Sequence, residues 1–210
     1  MRVVVIGATG GTGRELVKQA LERGYYVTAL VRNSLKFSLH NEALRIAVGN
    51  VLDPQSLHRA IEGNDAVLCA LGHKRWFYPN RILSAGTQNV IDAMKVAGIR
   101  RLVCETSLGV GDSFGRLGIY YTLFVVPFIL PLYYWDKYRQ ERVIRASGLD
   151  WVIVRPAALT NSPKRDNYRH GPHVGNWLLT LRISRADVAD FMLNQLTDDT
   201  YLCSTPALAW

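Results

Sequence analysis

Four times along these 210 residues a helical pattern ends in glycine and an apolar run follows within a few positions. The instances are "ALERGYYVTALV", "RAIEGNDAVLCAL", "KVAGIRRLVCETS" and "RASGLDWVIVRP". Gly24, Gly63, Gly98 and Gly148 stand just past the helix ends, where the chain turns through positive φ and a Cβ would clash. The Val-, Ile- and Leu-rich runs lack polar alternation, which predicts strands buried on both faces. Helix alternating with buried strand predicts an α/β fold, a doubly wound parallel sheet covered by helices on both sides.

The pattern places strands at 2–6, 26–31, 44–48, 66–70, 102–105 and 151–154. Helices are expected at 12–23, 54–61, 81–97, about 135–146, and 185–196. Asp53 before Pro54 reads as an N-cap, and Ser184-x-x-Asp187 resembles a capping box with Asp in place of Glu. No linker, low-complexity tract or sequence repeat interrupts the pattern, so residues 1–210 are read as one domain.

Composition narrows the function classes. Apolar residues make up 49% and charged residues 20%, a globular balance. Cys69, Cys104 and Cys203 are odd in number, and the first two lie in strand-like runs. That suits reduced thiols in a cytoplasmic protein better than a disulfide framework. The start runs directly into a strand-like segment, so no secretory leader is expected. No Cys/His grouping has metal-ligand spacing, and no metal is expected. The net charge is +8. Basic residues cluster at 73–75, 100–101, 137–145 and 164–169. With no basic run of five and no nucleic-acid module, the excess suits an anionic small molecule, not nucleic acid.

The stretch "VVVIGATGGTGREL", residues 3–16, sets a glycine turn between the first strand and first helix. Gly7, Gly10 and Gly13 form G-x-x-G-x-x-G, where the dinucleotide fingerprint is G-x-G-x-x-G. The physics is shared: a tight turn, close backbone approach to a pyrophosphate, and helix N-terminal amides facing the anion. Thr9, Gly11 and Thr12 complete the expected cradle. Arg32 follows the second strand, where an acidic residue would favour NAD. Its guanidinium matches a 2′-phosphate, and Arg14 in the first helix adds positive charge, so NADP(H) is the expected cofactor. Val51 and Asp53 in "GNVLD" fall near the expected adenine. Ala70, Leu71 and Gly72 in "CALG" fall along the cofactor.

Residues 117–135, "LGIYYTLFVVPFILPLYYW", hold no charge and approach the length of a membrane span. Pro127 and Pro131 argue against a spanning helix. The segment is expected to form an apolar lobe, around 110–135, lining a substrate site over the strand ends. Trp76, Phe77, Tyr120, Tyr121 and Trp135 are its candidate walls.

These motifs resemble the atypical short-chain dehydrogenase/reductases, specifically the NAD(P)H-binding group that contains biliverdin-IXβ reductase (flavin reductase) and the NmrA-like proteins. The resemblance also rests on "GNVLDPQSL", "NVIDAMKVAGIRRLV", "ETSLG" and "ISRADVADFML", and covers nearly the whole chain. It implies a Rossmann-like domain, NADPH, and hydride transfer to flavins, quinones or tetrapyrroles. It implies that Ser107 lies at the nicotinamide end and that Arg32 is the family's arginine after the second strand. Short-chain dehydrogenases proper also use Tyr-x-x-x-Lys, and Tyr133 and Lys137 stand in that register. At i and i+4 they share a helix face, where a lysine cation can assist proton transfer by the tyrosine. Biliverdin-IXβ-like members typically lack this tyrosine. Two mechanisms therefore stay open, with Tyr133 as acid or with the protein orienting nicotinamide while solvent protonates the product.

The leading expectation is an NADPH-dependent reductase of a planar, anionic small molecule. The alternative is an NmrA-like NADP(H) sensor without turnover. An epimerase or dehydratase is a third reading, for which little C-terminal sugar-nucleotide domain is available. The sequence specifies neither the substrate nor the oligomeric state.

Overall fold

The apolar runs become strands of one sheet, in which every strand but the two at the edges pairs on both sides. A computed structural model describes residues 1–73 and 80–210, apart from the side chain of Lys36. In chain order it shows β1 (Arg2–Ile6), α1 (Gly11–Glu22), β2 (Tyr26–Val31), β3 (Leu44–Val48), α2 (Pro54–Ile61), β4 (Ala66–Cys69), α3 (Ile82–Val96) and β5 (Arg101–Glu105). A π-helix (Tyr121–Ile129), α4 (Pro131–Arg145), β6 (Asp150–Pro156), β7 (Ala158–Thr160), β8 (Arg169–Gly171), β9 (Arg182–Ser184), α5 (Arg185–Asn194) and β10 (Ala207–Ala209) follow. The main sheet runs β3-β2-β1-β4-β5-β6-β10-β8; all its pairings are parallel except β10 with β8. Strands β7 and β9 form a separate parallel pair.

Alternate residues of β1 feed two cores. Val3 and Val5 pack with α1 and α5 residues such as Leu16, Val17, Val188 and Met192. Val4 and Ile6 pack on the opposite face with Leu57, Ile61, Val90 and Met94 of α2 and α3. All of these are fully buried, each contributing about 1.5–3 kcal/mol relative to exposure. The four expected helix-ending glycines take φ of +71° to +75°, and nothing lies within 4 Å of a Cβ at any of them. Conformation, not crowding, selects glycine there.

Several expectations change. β3 is not buried on both faces: it is the sheet edge, and Val48 is exposed. Pro127 does not break the helix; it sits within the π-helix. Its missing N–H is tolerated in a wider turn, seen where Leu130 N–H donates to Val125 O five residues back. The break falls at Leu130, and Pro131 opens α4 at a first-turn position that needs no donor, four residues before the expected start. The Ser184 hydroxyl accepts from the Asp187 N–H and donates to its carboxylate. The shorter Asp therefore meets the serine side chain, where a Glu would reach back to its amide.

Candidate functional site

The strand order reverses between β1 and β4, so their carboxyl ends open a crevice at the topological switch point. The glycine turn fills one side. Gly7 has φ +83°, and a Cβ there would fall 2.4 Å from Ala70 O. At Gly13 it would fall 2.1 Å from Gly7 O. These two glycines let backbone pack on backbone. Gly10, the N-cap of α1, offers no side chain to the first-turn amides, and that turn holds no acidic residue. Thr9, Gly10 and Gly11 are exposed. An uncapped helix N-terminus without nearby carboxylate in its own turn fits a pyrophosphate, so the residues present suit a dinucleotide.

The remaining expected contacts surround this turn. Arg32 is exposed just beyond β2. Arg14 is exposed on α1 and its Nε donates to Thr9 O at 3.3 Å. Thr12 is buried, and its hydroxyl donates to Glu105 Oε1 at 3.0 Å. Burial pushes the Glu105 carboxyl above its ordinary pKa, opposed by Lys137, Thr12 and Arg185. Asp53 caps α2 by accepting from Gln55 N–H at 3.1 Å, and Val51 packs against Gly86 of α3. Leu71 O accepts from Lys137 Nζ at 3.1 Å, and Gly72 lies beside the Tyr133 hydroxyl.

Tyr133 and Lys137 do share a face of α4, with Nζ 5.8 Å from the tyrosine ring centroid. Lys137 is buried, and Nζ also donates to Glu105 O at 3.1 Å, so it ties the ends of β4 and β5 together. Burial lowers its pKa, but Tyr133, Cys104, Glu105 and Cys69 outweigh that and lift it above the ordinary value. The lysine is therefore a cation. Cys69 and Cys104 lie side by side beneath it as buried free thiols. Ser107, at the end of β5, does not bond Tyr133. Its hydroxyl meets Tyr134 Oη at 3.1 Å, and Tyr134 Oη also donates to Leu108 O at 3.2 Å. Burial pushes the Tyr134 phenol up to about 12, partly offset by Ser107.

Three features of this region escaped the sequence reading. Asp136, between the paired residues, accepts from Leu83 N–H at 2.9 Å, Ser84 N–H at 3.2 Å and the Ser84 hydroxyl. It therefore caps α3 from α4. Arg155 of β6 forms a two-pronged pair with Glu141 at 2.9 and 2.6 Å, and Thr106 donates to the same carboxylate. These buried ties fix α4, and with it Tyr133 and Lys137, against the sheet. The third is Arg185, whose side chain lies across the glycine turn: a Cβ on Gly11 would fall 2.4 Å from its Cδ. Its Nη1 donates to Asn161 Oδ1 at 2.6 Å.

The apolar lobe is only partly a lining. Leu117, Val125 and Tyr134 are buried and Tyr121 half-buried. Tyr120 and Trp135, two candidate walls, point to solvent. Trp76 and Phe77, with Lys74 and Arg75 of a basic cluster, lie outside the described residues. Among the described residues no helix is long and apolar enough to cross a membrane, and no grouping of His, Cys, Asp and Glu could hold a metal.

The family described as NAD(P)H-binding matches residues 7–199. The chain is 33% identical over 207 residues to an uncharacterized chloroplastic protein of Arabidopsis thaliana, covering 94% of this chain and 72% of that one. It is 36% identical over 106 residues to the photosystem II assembly factor Ycf39 of Synechocystis, covering 49% of this chain but 32% of that one. Among solved structures, the NADP complex of a short-chain dehydrogenase/reductase from Veillonella parvula superposes with a TM-score of 0.84 at 17% identity, covering 100% and 94% of the two chains. The anaerobillin reductase ChuY of Escherichia coli O157:H7 superposes at 0.81 and 21% identity, covering 100% and 97%. At these identities the likeness is one of fold.

Proposed function

The chain belongs to the NAD(P)H-binding family, an oxidoreductase family of Rossmann architecture, and from that premise we propose that it is an NADPH-dependent reductase of a planar, anionic acceptor. A flavin, a quinone or a biliverdin-like tetrapyrrole fits that description. The observation that carries the proposal is the pairing of Tyr133 and Lys137 on one face of α4, with Lys137 Nζ bonded to Leu71 O and Glu105 O beyond the glycine turn. NADPH, when bound, supplies the hydride.

In this reading the first-turn amides of α1 and the Arg185 guanidinium hold the pyrophosphate, and Arg32 holds the 2′-phosphate. Lys137 holds positive charge beside Tyr133 and hydrogen-bonds the nicotinamide ribose. Tyr133 donates the proton that the reduced acceptor takes up. Ser107, oriented by Tyr134, bonds the carboxamide or the acceptor. The positive net charge draws an anionic acceptor to the crevice.

The test is a screen of flavins, quinones and biliverdin isomers, following NADPH absorbance. Oxidation of NADPH that depends on one acceptor class supports the proposal and identifies the class. Tight NADPH binding with no oxidation by any of them overturns it in favour of an NADP(H) sensor.

A further inference from the structure

The described surface carries one large apolar face that the reductase chemistry does not use. Phe114, Tyr120, Leu123, Phe124, Phe128 and Ile129 are exposed around the π-helix; Phe128 is 75% exposed. Trp177, Leu178 and Leu179 are 63–66% exposed on a second segment. The two segments are one surface. Leu117 and Asn176 pair as a parallel bridge, and Asn176 N–H donates to Arg116 O at 2.8 Å. The Asn176 carboxamide holds the amides of Leu178 and Leu179 at 2.8 Å each, presenting those leucines outward. A Cβ on Gly118 would strike the Leu179 carbonyl carbon at 2.7 Å, so the segments touch directly. Exposed apolar and aromatic side chains gathered on two adjoining segments mark an interaction surface.

Charge identifies the occupant. Neither contributing stretch, 113–135 nor 167–186, contains an Asp or Glu, yet they hold Arg116, at the bridge between the two segments, and Arg169 and Arg182 with His170 and His173. Each stretch is flanked directly by carboxylates, and all four have partners: Asp112 pairs with Arg155 at 2.8 Å, Asp136 accepts from Leu83 and Ser84, Asp166 pairs with Lys164 at 2.6 Å, and Asp187 accepts from Ser184 and the Trp210 indole. Apolar and aromatic side chains beside Arg116, in stretches that carry no acid, match the boundary of an anionic bilayer, where rings enter the acyl edge and arginines meet lipid phosphates. The nine-residue π-helix is far too short to span it. We propose that this face docks the protein peripherally on an anionic lipid surface, by contact and not by a span.

The test is flotation of the full chain with vesicles of phosphatidylcholine alone and of phosphatidylcholine with roughly one third phosphatidylglycerol. The protein should float with the anionic vesicles and not with the neutral ones, and raised salt should weaken the association. Phe124→Ser with Phe128→Ser should lower the bound fraction at least about tenfold, while NADPH affinity stays unchanged. That second readout shows that the variant is folded. Three results would overturn the proposal: no flotation with either vesicle, equal flotation with both, or binding indifferent to the two serines. Self-association in sedimentation that the same substitutions abolish, without vesicle binding, would assign the face to a second copy of the chain.

Discussion

The glycine turn follows β1 and the π-helix lies between β5 and α4, yet the two are built on opposite terms. At Gly13 a single added carbon would meet backbone at 2.1 Å, so the main chain itself dictates the residue. At Phe128 the side chain is mostly in water, and nothing inside the fold dictates it. A cradle for an invariant group such as a pyrophosphate is made from backbone and tolerates no substitution. A surface that meets something outside the molecule is made from side chains, and the fold is indifferent to them.

The largest test of that contrast pairs two substitutions. Gly13→Ala should cost about 4 kcal/mol or more, or displace the turn and abolish cofactor binding. Phe128→Ser should change stability by less than about 0.5 kcal/mol. Urea unfolding and NADPH titration of both variants check this, and similar losses in the two would break the comparison.

Tyr133→Phe probes the junction between the regions. With Tyr133 as the acid, turnover should fall about 10²–10⁴-fold with NADPH affinity little changed. A loss below about tenfold would mean that solvent protonates the product. Lys137→Ala would then act mainly on cofactor binding.

Two arginines sharpen the account of the cradle. Arg32→Ala should weaken NADPH about ten- to hundredfold and leave NADH unaffected. Arg185→Ala should weaken both cofactors alike, because the pyrophosphate is common to both. Calorimetric titration of each variant with each cofactor separates the two roles. Equal affinity of the wild type for NADPH and NADH would remove Arg32 from the site.

The smallest effect is in pH. A carboxyl raised above its ordinary value of 4.5, as Glu105 is, keeps a proton in the folded state that the unfolded chain has released. Its contribution to stability therefore falls as pH rises from about 4.5 through the folded pKa, then levels off. Glu105→Gln should remove that slope, while its amide oxygen still accepts from Thr12. Denaturant unfolding at stepped pH, with the variant subtracted from the wild type, isolates this from the opposite slope of Asp112.

The sheet was legible because repetition makes it so: strands β1 to β6 fall within two residues of their expected ends, and the glycines that close the helices keep their positive φ. The glycine turn was legible for the same reason, since its spacing is local. Strands β7 to β10 have three residues each, too few to show a period. Asp136 meets Ser84 across 52 positions and Arg155 meets Glu141 across 14, distances at which chain pattern carries no trace. The choice between adjacent tyrosines was equally hidden. Residues 133 and 134 differ by about 100° around the helix, and only the direction in which α4 docks decides which phenol meets Ser107.

Lys137 ends as a question of valence. A protonated ammonium has three hydrogens, arranged tetrahedrally. Two are directed at Leu71 O, two residues past β4, and Glu105 O, at the last residue of β5. The third therefore has one available heading, set by the tips of two strands. The lysine acts as a compass needle with two points pinned, so whatever it holds is oriented by the sheet itself. An arginine, whose donors lie in a plane, cannot reproduce that heading.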